Sequence, residues 1–161
     1  MGDIAIRGLH HAAYRCRDSE ETRAFYEDFL GLRLANAFEI KQTMTGRDTG
    51  VLHSFYEMGD GSFMAFFETP GSYFDFKEQH DFDLHIALEV DMDTLKDMFP
   101  RGKCSGFETR GIADHGFIHS IYFRDPNGYV VELTAKTADS YAIDYNAARS
   151  SLDTWQNTKQ A

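Results

Sequence analysis

Apolar and polar residues alternate along this chain in a pattern that divides it into two similar halves. In the first half, a strand-like stretch precedes an amphipathic helical pattern, and three more strand-like stretches follow. The helical pattern begins at Asp18-Ser19-Glu20-Glu21, which has the spacing of a capping box, and Gly31 is placed to end it. The predicted strands lie at about 8–16, 32–41, 51–58 and 62–68.

The second half repeats this order. Its short helix begins near residue 92, and Pro100 and Gly102 are expected to close it. The predicted strands lie at about 83–90, 105–110, 116–124 and 128–134. Each half is therefore predicted to be β-α-β-β-β, which gives modules at about 8–68 and 83–134 joined by a loop at 69–82.

The tail of the chain, at about 139–160, has apolar residues at helical spacing. These include Leu152 and Trp155, so we predict an amphipathic helix that packs on the body or on a second subunit.

Composition excludes several classes of protein. The 161 residues suit one domain, and a net charge of −10 argues against nucleic acid or an anionic membrane surface as a partner. No apolar run approaches the roughly 20 residues of a membrane span, and the amino terminus lacks the apolar core of a signal peptide. Cys16 and Cys104 are too few for a disulfide framework, so a cytoplasmic location is expected.

Three polar residues interrupt apolar strands and indicate a metal site. Glu132 stands between Val131 and Leu133, where a buried carboxylate is costly without a cation. His85 and His11 interrupt two other strands, although each of the three could instead be a hydrogen-bonded core residue. Two histidines and one carboxylate are the ligands of a facial metal site with open positions. Strand alternation allows only one of His10 and His11 to face it, and we favour His11.

These residues, with the segment from Ala24 to Leu32 and Asp125-Pro126-Asn127-Gly128, resemble the vicinal oxygen chelate superfamily, which includes glyoxalase I and the extradiol dioxygenases. The resemblance implies an α+β fold in which two βαβββ modules form a cup-shaped mixed β-sheet, here with an added carboxyl-terminal helix. It also implies that His11, His85 and Glu132 hold a divalent metal where two modules face each other.

A fourth ligand would have to come from Glu68. Aligning Gly61 with Gly128 matches Glu132 to Ala65, and Glu68 lies three residues further on. An odd offset turns a side chain to the other face of a regular strand, so three protein ligands are preferred. Three ligands with open positions favour Fe(II), with manganese, nickel or zinc as alternatives.

An extradiol dioxygenase signature is similar to the run from His115 through Tyr122 and the Asp-Pro-Asn-Gly turn to Glu132. This chain departs from it at Ala113 and lacks the acid–base histidine of large extradiol enzymes. The resemblance implies that Tyr122 bonds an oxygen of a catechol-like aromatic diol, and that His115 orients the substrate or moves a proton.

Two other functions remain open at this stage. A glyoxalase I-type isomerase or lyase would need Glu68 at the metal, whereas a metal-free binding protein would not need the two histidines and the carboxylate. Members of the superfamily close their cup within one chain or by exchanging modules between two chains. We expect a homodimer here, because the tail would otherwise expose an apolar stripe.

Overall fold

The computed structural model describes residues 5–137 and 144–159, and it confirms two β-α-β-β-β halves followed by a helix. The first half contains β1 (His11–Cys16), α1 (Ser19–Arg23), a π-helical continuation (Ala24–Phe29), β2 (Arg33–Gln42), β3 (Asp48–Glu57) and β4 (Phe63–Glu68). The second contains β5 (Ile86–Glu89), α2 (Met92–Cys104), β6 (Thr109–Asp114), β7 (Ile118–Arg124) and β8 (Val130–Lys136). The tail helix α3 spans Tyr145–Thr158.

The capping signal at Asp18 is confirmed, because its carboxylate accepts hydrogen bonds from the backbone N–H groups of Glu20 and Glu21, each at 2.8 Å. The predicted end of α2 is wrong. The helix runs through Pro100 to Cys104. Tertiary contacts hold its last turn: the Arg101 guanidinium donates to the Asp28 carbonyl at 2.8 Å, and Gly102 packs directly on Phe123.

Each half forms its own four-stranded mixed sheet. The first sheet has the order β1-β4-β3-β2 and the second the order β5-β8-β7-β6, so β1 and β5 are edge strands. β1 runs parallel to β4, and β5 runs parallel to β8. The two sheets are therefore copies of one topology.

One face of each sheet packs into a core that the two modules share with the helices. Its side chains include Tyr56 and Phe66 from the first sheet and Phe123 and Leu133 from the second. We call the face that packs into this core the covered face. Residues that alternate with these core positions lie on the other face of each sheet, which we call the open face. Since both covered faces meet the same core, each open face is turned away from it.

The tail helix has no buried residue, and Leu152 and Trp155 are 50% and 62% exposed. The predicted packing of the tail on the body is therefore absent from α3, while residues 138–143, the start of the predicted tail, lie outside the described residues. Cys16 is buried and Cys104 is exposed, and both are free thiols. None of the helices in the described part of the chain has the length and apolar character needed to cross a membrane.

Candidate metal centre

Glu132 and His85 meet on the open face of the second sheet. The Nε2 atom of His85 lies 3.0 Å from Oε2 of Glu132, and the Glu132 side chain is only 5% exposed. Within residues 5–137 and 144–159, no lysine or arginine forms an ion pair with this carboxylate. A nearly buried carboxylate that lies beside an imidazole and has no lysine or arginine partner is a good acceptor for a metal cation.

A backbone carbonyl orients the ring of His85. The Nδ1 atom lies 2.6 Å from the carbonyl oxygen of Asp81, and a carbonyl can only accept a hydrogen bond. Nδ1 therefore carries a hydrogen, and this hydrogen bond turns Nε2 towards Glu132. A histidine that donates one ring N–H to a carbonyl is the usual arrangement for a metal ligand.

The sequence analysis did not predict that Asp81, whose carbonyl contacts His85, forms an ion pair through its side chain. The Asp81 carboxylate accepts two hydrogen bonds from Arg110, each at 2.6 Å. These hydrogen bonds from the Arg110 guanidinium lower the pKa of Asp81. No local motif links these residues, which are 29 positions apart, and only the pairing of opposite charges on an acidic loop and a strand could have suggested it.

Tyr122 and His115 lie beside the pair. Tyr122 is directly opposite Glu132 in the β7–β8 register, and Nε2 of His115 lies 3.1 Å from the Tyr122 hydroxyl. Burial and then the nearby charge of Glu132 raise the pKa of Tyr122. The hydroxyl therefore remains protonated at neutral pH and is available as a hydrogen-bond donor.

His11 lies on the open face of the first sheet. It pairs with Phe63 in the β1–β4 register, on the face opposite the core residues Met64 and Phe66. Its ring contacts Phe55 at a centroid distance of 5.7 Å, and its Nδ1 lies 2.8 Å from Nδ1 of His10. In the single chain, the structure therefore brings His85 and Glu132 together without His11.

Glu68 lies on the covered face, as the offset from Gly61 predicted. It is paired with Cys16, a core residue, and its Oε2 accepts a hydrogen bond from the Ser19 backbone N–H at 2.8 Å. The carboxylate therefore binds the start of α1 and points away from the open face that carries His11.

The donor atoms of His85 and Glu132 fit a divalent cation. An imidazole nitrogen and a carboxylate oxygen that lie 3.0 Å apart could both bind one divalent cation. Among the described residues of one chain, no group of three or more His, Cys, Asp or Glu side chains is arranged to hold a metal. The described part of one chain therefore brings these two candidate ligands together without a third.

Comparison with known proteins agrees with this fold. Residues 8–133 match the family model described as the Glyoxalase/Bleomycin resistance protein/Dioxygenase superfamily. A 72-residue stretch is 40% identical to "Putative ring-cleaving dioxygenase MhqE" of Bacillus subtilis (strain 168). That stretch covers 43% of this chain and 22% of MhqE, so the chain matches less than a quarter of its relative's length.

Solved structures share the fold at low sequence identity. A glyoxalase family protein from Bacillus cereus has a TM-score of 0.70 at 16% identity, covering 86% of this chain and 99% of that one. The fosfomycin resistance protein FosX of Listeria monocytogenes, solved with Mn(II) and sulfate, has a TM-score of 0.63 at 21% identity, covering 84% and 97%. With the family match over residues 8–133, we conclude that this chain belongs to the Glyoxalase/Bleomycin resistance protein/Dioxygenase superfamily.

Proposed function

We propose that this protein is a metal-dependent dioxygenase of the extradiol type, which opens a catechol-like ring with dioxygen. The observation that carries the proposal is the contact between His85 and Glu132, with Tyr122 beside it on the same open face. His11 completes the ligand set, and Fe(II) is the favoured metal because two histidines and a carboxylate leave positions for substrate and dioxygen.

The third ligand comes from a second copy of the chain in this proposal. Both β1, which carries His11, and β5, which follows His85, are sheet edges with free backbone groups. If β1 of one copy lies beside β5 of its partner, the two open faces join, and His11 approaches His85 and Glu132. A twofold axis would produce two such sites per dimer.

The aromatic side chains on the open face of the first sheet favour an aromatic substrate. It carries a continuous set of rings in which His53 stacks on Phe67 at 3.7 Å and contacts Phe55 at 4.2 Å. Phe55 in turn contacts His11 and Phe63. In the joined site, these rings would pack against the flat substrate and exclude water from it.

The side chains around the pair have separate roles in the proposed reaction. When bound, Fe(II) supplies the redox chemistry that allows a diolate and dioxygen to react. Tyr122 donates its hydroxyl hydrogen to a substrate oxygen, because burial and Glu132 keep that hydroxyl protonated. If that hydrogen is transferred to the substrate oxygen, His115 returns a proton to the Tyr122 oxygen, which lies 3.1 Å from its Nε2 atom.

The position of Glu68 favours this reaction over a glyoxalase I-type isomerisation. An isomerase of that kind needs a second carboxylate at the metal to move a proton. Glu68 is hydrogen-bonded to Ser19 on the covered face of its sheet, so the proposed site has one carboxylate.

Oxygen uptake tests the proposal. Protein purified without chelators is loaded anaerobically with Fe(II) and mixed with catechol, first without and then with air. We expect ring-cleaved product and oxygen consumption in equal amounts in air only, and neither in the Glu132→Gln variant. Turnover of an α-keto thiohemiacetal without oxygen uptake, and no reaction with any diol tested, would instead identify an isomerase.

A further inference from the structure

The orientation of the His85 ring depends on a contact with an earlier residue. His85 precedes β5, so it lies outside the strand. The ring is oriented by the 2.6 Å hydrogen bond from Nδ1 to the Asp81 carbonyl, and any movement of that carbonyl would redirect Nε2. The position of Asp81 therefore controls the geometry of the His85–Glu132 pair.

The segment before His85 is tied to the second sheet at two points. Arg124 donates to the Gln79 carbonyl at 3.0 Å, and the Gln79 backbone N–H donates to Gly128 at 3.3 Å. Beyond Gln79, the chain turns at Asp81, where the Asp83 backbone N–H donates to the His80 carbonyl at 3.0 Å. The second tie is the Asp81 side chain, which bonds Arg110 on β6.

Arg110 is held in place on the open face. It lies opposite Tyr122 in the β6–β7 register, and its guanidinium stands 5.4 Å from the centre of that ring. Its Nη1 and Nη2 atoms bond Asp81, and its Nε lies 3.4 Å from Glu108. Two carboxylates thus neutralise the charge of Arg110, which makes it poorly suited to bind an anionic substrate. We call the ion pair of Asp81 and Arg110 the clamp.

We propose that Asp81 and Arg110 are positioning residues for the metal ligand His85. Their two hydrogen bonds fix the position of Asp81, whose carbonyl accepts the Nδ1–H hydrogen bond and so directs Nε2 towards Glu132. The inference rests on the proposed metal site for its consequence, but the Nδ1–H hydrogen bond to Asp81 is a property of the metal-free protein. Replacing a residue that orients a metal ligand typically lowers the metal affinity about 10- to 100-fold.

Two variants break the clamp without touching His85. Asp81→Asn keeps the shape of the side chain and removes its charge, whereas Arg110→Met keeps an apolar stem against Tyr122. The matched control is Glu89→Gln, which likewise removes one charge of an ion pair on the second sheet, where Glu89 pairs with Lys136. Circular dichroism and thermal unfolding establish that each variant is folded.

The first readout is the Nδ1–H hydrogen bond of His85 in the metal-free protein, detected as a slowly exchanging Nδ1–H resonance in ¹H–¹⁵N spectra. We expect this resonance in the unmodified protein and in Glu89→Gln. We expect it to exchange faster or to disappear in Asp81→Asn and Arg110→Met. The second readout is Mn(II) affinity by titration calorimetry, which should fall about 10- to 100-fold in those two variants only.

The two readouts separate failure of the clamp from failure of the metal site. If both variants keep the Nδ1–H resonance and unchanged Mn(II) affinity, the role of Asp81 and Arg110 is overturned while the metal site stands. If the unmodified protein binds Mn(II) no better than His85→Ala does, the proposed function fails. In that case the comparison of the Nδ1–H resonances alone still supports or overturns the role of Asp81 and Arg110.

Discussion

His85 and Glu132 form an imidazole–carboxylate pair, with Nε2 and Oε2 3.0 Å apart, on an open sheet face. Glu132 lies on β8 and His85 directly precedes β5, and the parallel pairing of β5 with β8 brings them together. Ala87 lies directly opposite Glu132 in this pairing, and its small side chain leaves space beside the carboxylate. The pair is therefore preformed within one chain.

Removing either member of the pair should abolish metal binding. We expect Glu132→Gln and His85→Ala to lower Mn(II) affinity by more than about a hundredfold, because loss of a ligand costs more than loss of a residue that orients one. Equilibrium dialysis measures the change. Glu89→Gln is the control, since Glu89 lies two residues from Ala87 on β5 and pairs with Lys136. Full metal content in Glu132→Gln would contradict the assignment.

Subunit mixing tests whether His11 comes from a partner. His11→Ala and Glu132→Ala should each be inactive as pure proteins. After they are unfolded together and refolded, half of the dimers are mixed and each mixed dimer has one intact site, so about 25% of the native sites should return. A mixture of His85→Ala and Glu132→Ala should recover none, because both residues lie on one module. No recovery in the first mixture would place the whole site within one chain.

Tyr122→Phe should separate catalysis from metal binding. The variant loses the hydroxyl that lies beside Glu132 and 3.1 Å from His115, but no metal ligand. We expect catechol turnover to fall about 10²- to 10⁴-fold with Mn(II) affinity unchanged. Tyr73→Phe removes the hydroxyl of an exposed tyrosine and serves as the control. Unchanged turnover in Tyr122→Phe would remove Tyr122 from the mechanism.

Asp125 should be important for stability. It is 2% exposed, and its carboxylate accepts hydrogen bonds from the Asn127 and Tyr129 backbone N–H groups at 2.9 and 2.8 Å and from the Tyr26 hydroxyl at 3.1 Å. We expect Asp125→Ala to lower the free energy of unfolding by about 3 kcal/mol, because these buried donors lose their acceptor. Urea unfolding measures it. Asp60→Ala alters the corresponding turn of the first module, where the carboxylate is exposed, and should cost much less.

The N-cap of α2 should make stability depend on pH. Hydrogen bonds from the Thr94 backbone N–H and then the Thr94 side chain lower the pKa of Asp91 in the folded protein. A lowered pKa contributes stability that is present above the unfolded value of about 3.9 and is lost as the pH falls through the folded value. Asp91→Ala should therefore be less stable than the unmodified protein at neutral pH, and the difference should shrink below about pH 4. A difference that is constant across this range would contradict the assignment.

Much of the fold could be read from local sequence. The capping box at Asp18 and the glycine at position 31 bound the first helix because both act within a few residues. The face of Glu68 followed from strand alternation, which depends only on counting from Gly61. Pro100 misled the prediction of α2, since the contacts of Arg101 and Gly102 that hold its last turn come from other elements.

The sequence by itself determined the two modules and the strand of Glu132, whereas it placed His85 inside a strand that begins only at Ile86. Only the tertiary structure decided that both covered faces share one core, which leaves His11 on a different open face from Glu132. It alone also joined Asp81 to Arg110 and set the ring of His85. Periodicity records which side of an element is buried, whereas contacts between elements far apart in the chain depend on how those elements pack.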